Sequence, residues 1–216
     1  MKQHSPLLIF LLLLLAPFPA FALEPLEIAA AIQGKYEGTA ALTAHFEQES
    51  AIAGLGGRKQ LGQGTLAVKK PGKLRWDYKL PAPQVLICDG EEVSLYLAQD
   101  KQMIVSRAEE YLNEDLTYAF FVGKGNISKD FKVEGMPPEL AEPGHHGLRL
   151  TPNRHHGQVQ YLLLWVDEAM QITHIRIVDH LQSTTDIRLS QIRLNGELSD
   201  SLFDFAPPKG TEIILQ

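Results

Sequence analysis

The chain has 216 residues, with 20 Lys and Arg against 26 Asp and Glu, a formal charge of −6 at pH 7, and a single cysteine, Cys88. Its cations are scattered through an acidic chain, which argues against nucleic acid as a partner, and one thiol excludes an internal disulfide framework. The length suits one domain with a sizeable core.

Residues 1–22 read as a cleavable secretory signal peptide. Lys2 supplies the positive start, positions 7–15 are unbroken apolar, and Ala20 and Ala22 bracket Phe21 as the small residues of a cleavage site. The apolar run is shorter than the roughly 20 residues that a membrane-spanning helix needs. Its removal leaves 23–216 as a single exported domain, and Leu23 stands where a lipid-anchored protein would carry a cysteine.

From Glu24 the pattern is helical, with Ile28, Ile32 and Tyr36 recurring every four residues and Gly38 ending the run. Period-two alternation then predicts strands over 41–50, 60–69, 73–79, 84–88, 92–97 and 102–106. A second series follows over 127–134, 147–150, 159–166, 172–179 and 185–194. Between the two series lies a helical insertion. Ser106 and Glu109 have capping-box spacing, Leu112, Leu116, Ala119 and Phe120 fall on one helix face, and Gly123 and Gly125 form the exit.

Short turns between the strands favour an antiparallel meander over βαβ units. So long a meander curls toward a barrel, and its concave side is the economical place for two apolar helix faces. The expected fold is mainly β with α: an incomplete, half-open antiparallel β-barrel covered by an N-terminal helix and an inserted helical lid. Helices that plug this concavity would make a core, and helices that cover it loosely would make a lidded pocket. The pattern leaves both open.

No catalytic, metal or cofactor site is assembled by these residues. His145-His146 and His155-His156 lie beside Gly, Pro or Asn, as exposed turns do, and adjacent strand residues point to opposite faces, so each pair offers one inward ligand. The segment VGKGN over 122–126 lacks the spacing of a phosphate loop. Glu109-Glu110 suits a helix start, Glu91-Glu92 a turn, and Cys88 a half-buried strand end.

The stretch over 62–90 loads one strand face with Leu74, Trp76 and Tyr78. It also carries much of an ordered motif set: Phe46-x-Gln48, Gly64-x-Leu66, Lys70-Pro71-Gly72, Arg75-Trp76-x-Tyr78, Pro81 and Asp89-Gly90, closed by FDFAPPKGTEII over 203–214. With the opening IQGKYEGTAALTAHFEQ, this set resembles the periplasmic outer-membrane lipoprotein carrier family, LolA. The resemblance spans nearly all of 23–216. It implies a half-open barrel whose helices lid an apolar cavity, acting without enzymatic chemistry or cofactor. Such a carrier takes acylated lipoproteins from an inner-membrane ABC exporter and passes them to the outer-membrane acceptor LolB, as a monomer in the periplasm.

On that resemblance, Leu66, Val68, Leu74, Trp76 and Tyr78 form the inward acyl-facing wall, extended by Val93 and Leu95. Strand 84–88 has ambiguous parity, with Val85 and Ile87 taken as inward. Leu112, Leu116 and Phe120 stand for the lid, with Ile28 and Ile32 from the first helix; each of these residues also fits an ordinary core. In the family an arginine usually precedes the proline of the Lys70-Pro71-Gly72 turn and hydrogen-bonds the lid. Lys70 is the lid-latch candidate here, a donor without the planar guanidinium fork. A lipid- or lipoprotein-sensing module on the same scaffold is the alternative, and a lipid hydrolase would need a nucleophile and base that the chain does not bring together.

Overall fold

The computed structural model describes residues 23–54, 58–114, 116–154 and 156–216, and the side chains of 112–117 also lie outside the description. The expected signal peptide therefore falls outside the described residues, as does His155. Helix α1 (Pro25–Glu37) begins with Pro at its first position, where a missing N–H is harmless. The Glu27 carboxylate accepts the Glu24 amide at 3.0 Å, and Gly38 ends the helix.

Six strands follow: β1 (Ala41–Ala51), β2 (Lys59–Lys69), β3 (Lys73–Leu80), β4 (Gln84–Cys88), β5 (Glu92–Leu97) and β6 (Gln102–Arg107). The insertion is three short helices, α2 (Ala108–Glu114), α3 (Leu116–Phe121) and α4 (Ile127–Asp130). Then come β7 (Phe131–Gly135), β8 (His145–Pro152), β9 (Tyr161–Asp167), β10 (Ile172–Val178), β11 (Thr184–Leu194) and β12 (Glu212–Leu215). Among the described residues, twelve strands form one sheet in the order β12-β6-β5-β4-β3-β2-β1-β11-β10-β9-β8-β7. Two antiparallel meanders meet where β1 pairs with β11, and the sheet stays unclosed, with β12 and β7 as its edges.

Three details differ from the pattern-based expectation. The strand expected from 127 begins only at Phe131. The Asn126 side chain accepts the Lys129 amide at 2.9 Å and caps α4 instead. Ser106 remains in β6, so the inserted helix starts at Ala108, whose amide binds the Glu91 carbonyl at 2.9 Å. Strand β12, which carries no clear alternation, pairs with β6 in parallel, the one parallel pairing among the described strands.

Register decides which side chains look inward. Leu42, Ala44 and Phe46 of β1 stand opposite Val68, Leu66 and Gly64 of β2, and these stand opposite Leu74, Trp76 and Tyr78 of β3. Across the next pair, Leu74, Trp76 and Tyr78 meet Cys88, Leu86 and Gln84. Val85 and Ile87 are therefore corrected to the opposite, convex face, where they pair with Asp77 and Arg75. The C-terminal segment crosses that face. Arg75 donates to the Leu202 carbonyl at 2.9 Å, and the Phe205 ring lies 5.3 Å from Tyr96, the strand partner of Val85. Ile87 is buried there, outside the main core.

Gly64 shows how tightly the concave face is built. The β2–β3 register shifts beside it, and a Cβ at this position would stand 1.8 Å from the Asp77 carbonyl oxygen and 2.9 Å from the Phe46 ring. Gly64→Ala should therefore lose about 3 kcal/mol or more in urea unfolding. Gly34→Ala, in exposed helix with nothing within 4 Å of the new methyl, should gain about 0.5–1 kcal/mol.

Candidate functional site

The β1–β5 half of the concave face is filled. Leu66, Val68, Leu74, Trp76 and Val93 are buried, while Tyr78 and Leu95 pack half-buried against them. Trp76 sits at the centre, with the Phe46 ring at 5.0 Å, Tyr78 at 6.4 Å, and Tyr118 of α3 at 5.2 Å from above. Its Nε1 is buried without a hydrogen-bond partner. Tyr78 donates its hydroxyl to Gln48 at 2.8 Å. Ile28 and Ile32 of α1 join the same buried cluster. These side chains line the concave face, and aromatic side chains and helices close over them.

The other half borders a cavity, although its floor residues are themselves buried and belong to the same core. A cavity of about 760 Å³ lies over β8, β9 and β10, floored by Leu150, Leu162, Leu164, Ile172 and Ile175. Phe120 and Phe121 of α3, Ile127 of α4 and Phe131 of β7 also line it. Its polar lining is Glu109, Lys124, Asn126, Lys129, Asp130, Asn153, Arg154 and His156. Phe120 is the one residue of the sequence-derived set that lines it among the described side chains; those of Leu112 and Leu116 lie outside the description.

The floor had a signal in the sequence. Residues 161–166 are apolar at every position, so Leu162 and Leu164 line the cavity while Leu163 and Trp165 pack on the convex side. On β10 a register shift between Ile172 and His174 breaks the alternation and brings both Ile172 and Ile175 inward.

Lys70 and Tyr36 join helices and sheet. Lys70 Nζ donates to the Tyr36 carbonyl at the end of α1. The Lys70 stem lies on Gly123 at the exit of α3, so close that a Cβ there would meet Lys70 Cε at 3.0 Å. Burial pushes the Lys70 pKa below that of an ordinary lysine, against the opposing pull of the Glu37 carboxylate. Tyr36 is buried, its hydroxyl accepts the Ile172 amide at 3.0 Å, and its ring contacts Phe120 and Phe121 at 5.3 and 5.9 Å. Burial, opposed by that hydrogen bond, pushes the Tyr36 pKa up to about 12.

The histidines form no ligand cluster: among the described residues, no three of His, Cys, Asp and Glu stand together as a metal would need. His145 begins β8 with Nδ1 3.2 Å from the Pro143 carbonyl, and His156 Nδ1 accepts the Val159 amide at 3.1 Å. The most buried histidine among the described residues, His174, was not singled out by sequence. It lies on the convex side, stacked 4.0 Å from Trp165 and 2.7 Å from Asp186, remote in facing from the cavity. Burial would raise the Asp186 pKa, yet hydrogen bonds from His174 and Arg176 hold it below the ordinary range.

The family model for outer membrane lipoprotein carrier protein LolA matches residues 37–206. The chain belongs to the LolA family. An outer-membrane lipoprotein carrier protein of Dechloromonas aromatica is 30% identical over 190 residues, covering 82% of this chain and 83% of that one. The namesake in Bordetella pertussis is 27% identical over 213 residues, covering 99% and 97%. In fold, the chain is similar to a conserved protein of Thermus thermophilus, with a TM-score of 0.54, 13% identity, and coverage of 88% and 98%. Gly64 and Trp76, within the matched range, fall on the filled half, while the cavity lies beyond them.

The raised Tyr36 pKa has a defined sign. The folded chain holds this proton more tightly than the unfolded chain, whose phenol titrates near pH 10, so the stabilisation present below pH 10 is lost as pH rises through about 12. In Tyr36→Phe that part of the alkaline slope should vanish, with about 1 kcal/mol lost at neutral pH with the Ile172 hydrogen bond. Urea titrations at about pH 8 and about pH 11 check both outcomes.

Proposed function

We propose that this protein is a periplasmic carrier of acylated lipoproteins, with the apolar cavity over β8–β10 as its acyl-chain site. The carrying observation is that cavity, about 760 Å³ of apolar-floored space under a helical cover in a member of a lipoprotein-carrier family. Its size falls within the roughly 300–1,000 Å³ of ordinary ligand pockets. Burying hydrocarbon is worth about 0.8 kcal/mol per CH₂, so acyl chains need a cover to cross water. Leu150, Leu162, Leu164, Ile172 and Ile175 give the floor an aliphatic surface suited to hydrocarbon, while the polar side suits the peptide that follows the lipid.

In this reading residues 1–22 direct export and are removed, and 23–216 act as one carrier unit, a monomer. An inner-membrane ABC exporter loads it and an outer-membrane acceptor such as LolB unloads it; nothing in the reading calls for an enzyme, a cofactor or nucleic acid. The filled wall around Leu66, Leu74 and Trp76 serves as reserve space. Tyr118 covers Trp76, and lifting α3 would extend the cavity across to Val68, Tyr78, Val93 and Leu95. Lys70 is the latch, because it holds both the end of α1 and the exit of α3.

Displacement of a fluorescent fatty-acyl probe tests the site. Leu162→Trp, which fills the floor, should weaken acyl binding at least tenfold while the circular dichroism spectrum stays native, whereas Val85→Ser on the convex face should leave binding unchanged. Equal binding by wild type and Leu162→Trp would show that the cavity is not the acyl site. Lys70→Ala should speed probe release several-fold and raise amide exchange over 119–125, with about 1 kcal/mol lost in stability; unaltered exchange there removes the latch.

A further inference from the structure

Ile52, Leu61, Leu80 and Leu181 are 48%, 62%, 50% and 78% exposed, and the sheet gathers them at one end of the barrel. Leu80 ends β3 opposite Gln63 of β2. Leu61 lies two residues along β2, opposite Glu49 of β1, and Ile52 follows the end of β1. Leu181 stands in the turn between β10 and β11. That turn meets the end of β1, where Ala51 pairs with Thr184 and the Ala53 amide donates to Ser183 Oγ at 3.2 Å.

The cavity reaches this same end. Its border includes Arg154 and His156, and the β10–β11 turn touches that segment, with His180 Nε2 2.9 Å from the His156 carbonyl. Arg58 precedes β2 and Lys79 precedes Leu80; both are exposed, and neither has an ion-pair partner among the described residues. The chain as a whole is acidic, at −6, so unpaired cations beside this rim stand out from its general charge.

Aliphatic side chains that project separately from several strand ends suit a deformable partner. A folded protein would need a matching hollow for each, but an interfacial lipid layer accepts them all, and cations beside them meet the phosphates of anionic lipids. We infer that this rim docks the end of the barrel on an anionic bilayer surface, setting the cavity border against the lipid headgroups. The contact goes beyond the carrier reading and does not depend on it, since the empty protein presents the rim.

Co-sedimentation of the exported chain with phosphatidylethanolamine–phosphatidylglycerol vesicles tests the docking, with phosphatidylcholine vesicles as the neutral surface. Wild type should bind the anionic vesicles several-fold more than the neutral ones, less so as salt rises. The pair Ile52→Ser with Leu61→Ser, and the pair Arg58→Gln with Lys79→Gln, should each lower that binding roughly tenfold. Leu26→Ser, on α1 and 61% exposed, is the matched control and should change nothing. Acyl-probe displacement should stay at the wild-type level in every variant, separating rim from cavity. Absence of wild-type binding, or an equal loss in Leu26→Ser, overturns the inference. So does binding that requires a membrane protein in the vesicles, which reassigns the rim to a protein partner.

Discussion

Tyr36 ties the first helix to strand β10, to helix α3 and to the β2–β3 turn. Its hydroxyl takes the Ile172 amide of β10, its ring meets Phe120 and Phe121 of α3, and its carbonyl takes Lys70 from the β2–β3 turn. A phenol this deeply buried is tolerable because its oxygen is hydrogen-bonded. One residue therefore sets α1 against both halves of an unclosed sheet and places α3 between them.

That placement divides the concavity. An open sheet exposes more apolar concave surface than one helix and three short ones can fill. Where aromatic side chains rise from the strands and descend from the cover, as Phe46, Trp76, Tyr78 and Tyr118 do, they close the gap. Over β8–β10 the floor is aliphatic, and Leu150, Leu162, Leu164 and Ile175 stop short of the helices above. The aromatic half confers stability and the aliphatic half leaves room, so the boundary between them is the place where helix movement would change cavity size. The unpartnered Trp76 Nε1 marks the filled half as a site where a buried donor lacks its hydrogen bond.

The convex face is a second packing surface. Arg75, paired with Asp77 at 2.8 Å, holds the Leu202 carbonyl, and Lys69 and Lys73 hold Asp200 at 2.9 and 3.0 Å. Phe203 is buried, and β12 then continues the sheet alongside β6. On the other half of that face, Trp165 and His174 stack beside Asp186 and Arg176. Apolar residues that alternate onto both faces thus find cover on both, and inward and outward parity cannot be told from hydrophobicity alone.

The sequence by itself determined the helix at 25–37, nearly every strand and the meander, because period-two and four-residue spacings are local properties of the chain. The ordered motif from Phe46 to Gly90 likewise carried the family, alternation put Leu74, Trp76 and Tyr78 on one face, and the resemblance implied that this face looks inward. Tertiary structure alone decided that Ile87 is buried outward, since its cover comes from a segment more than a hundred residues later. It also decided that α4 replaces the start of a strand, through the Asn126 cap. Above all, it decided where the empty space lies. A cavity is the difference between the reach of two facing surfaces, and no single stretch of sequence contains both.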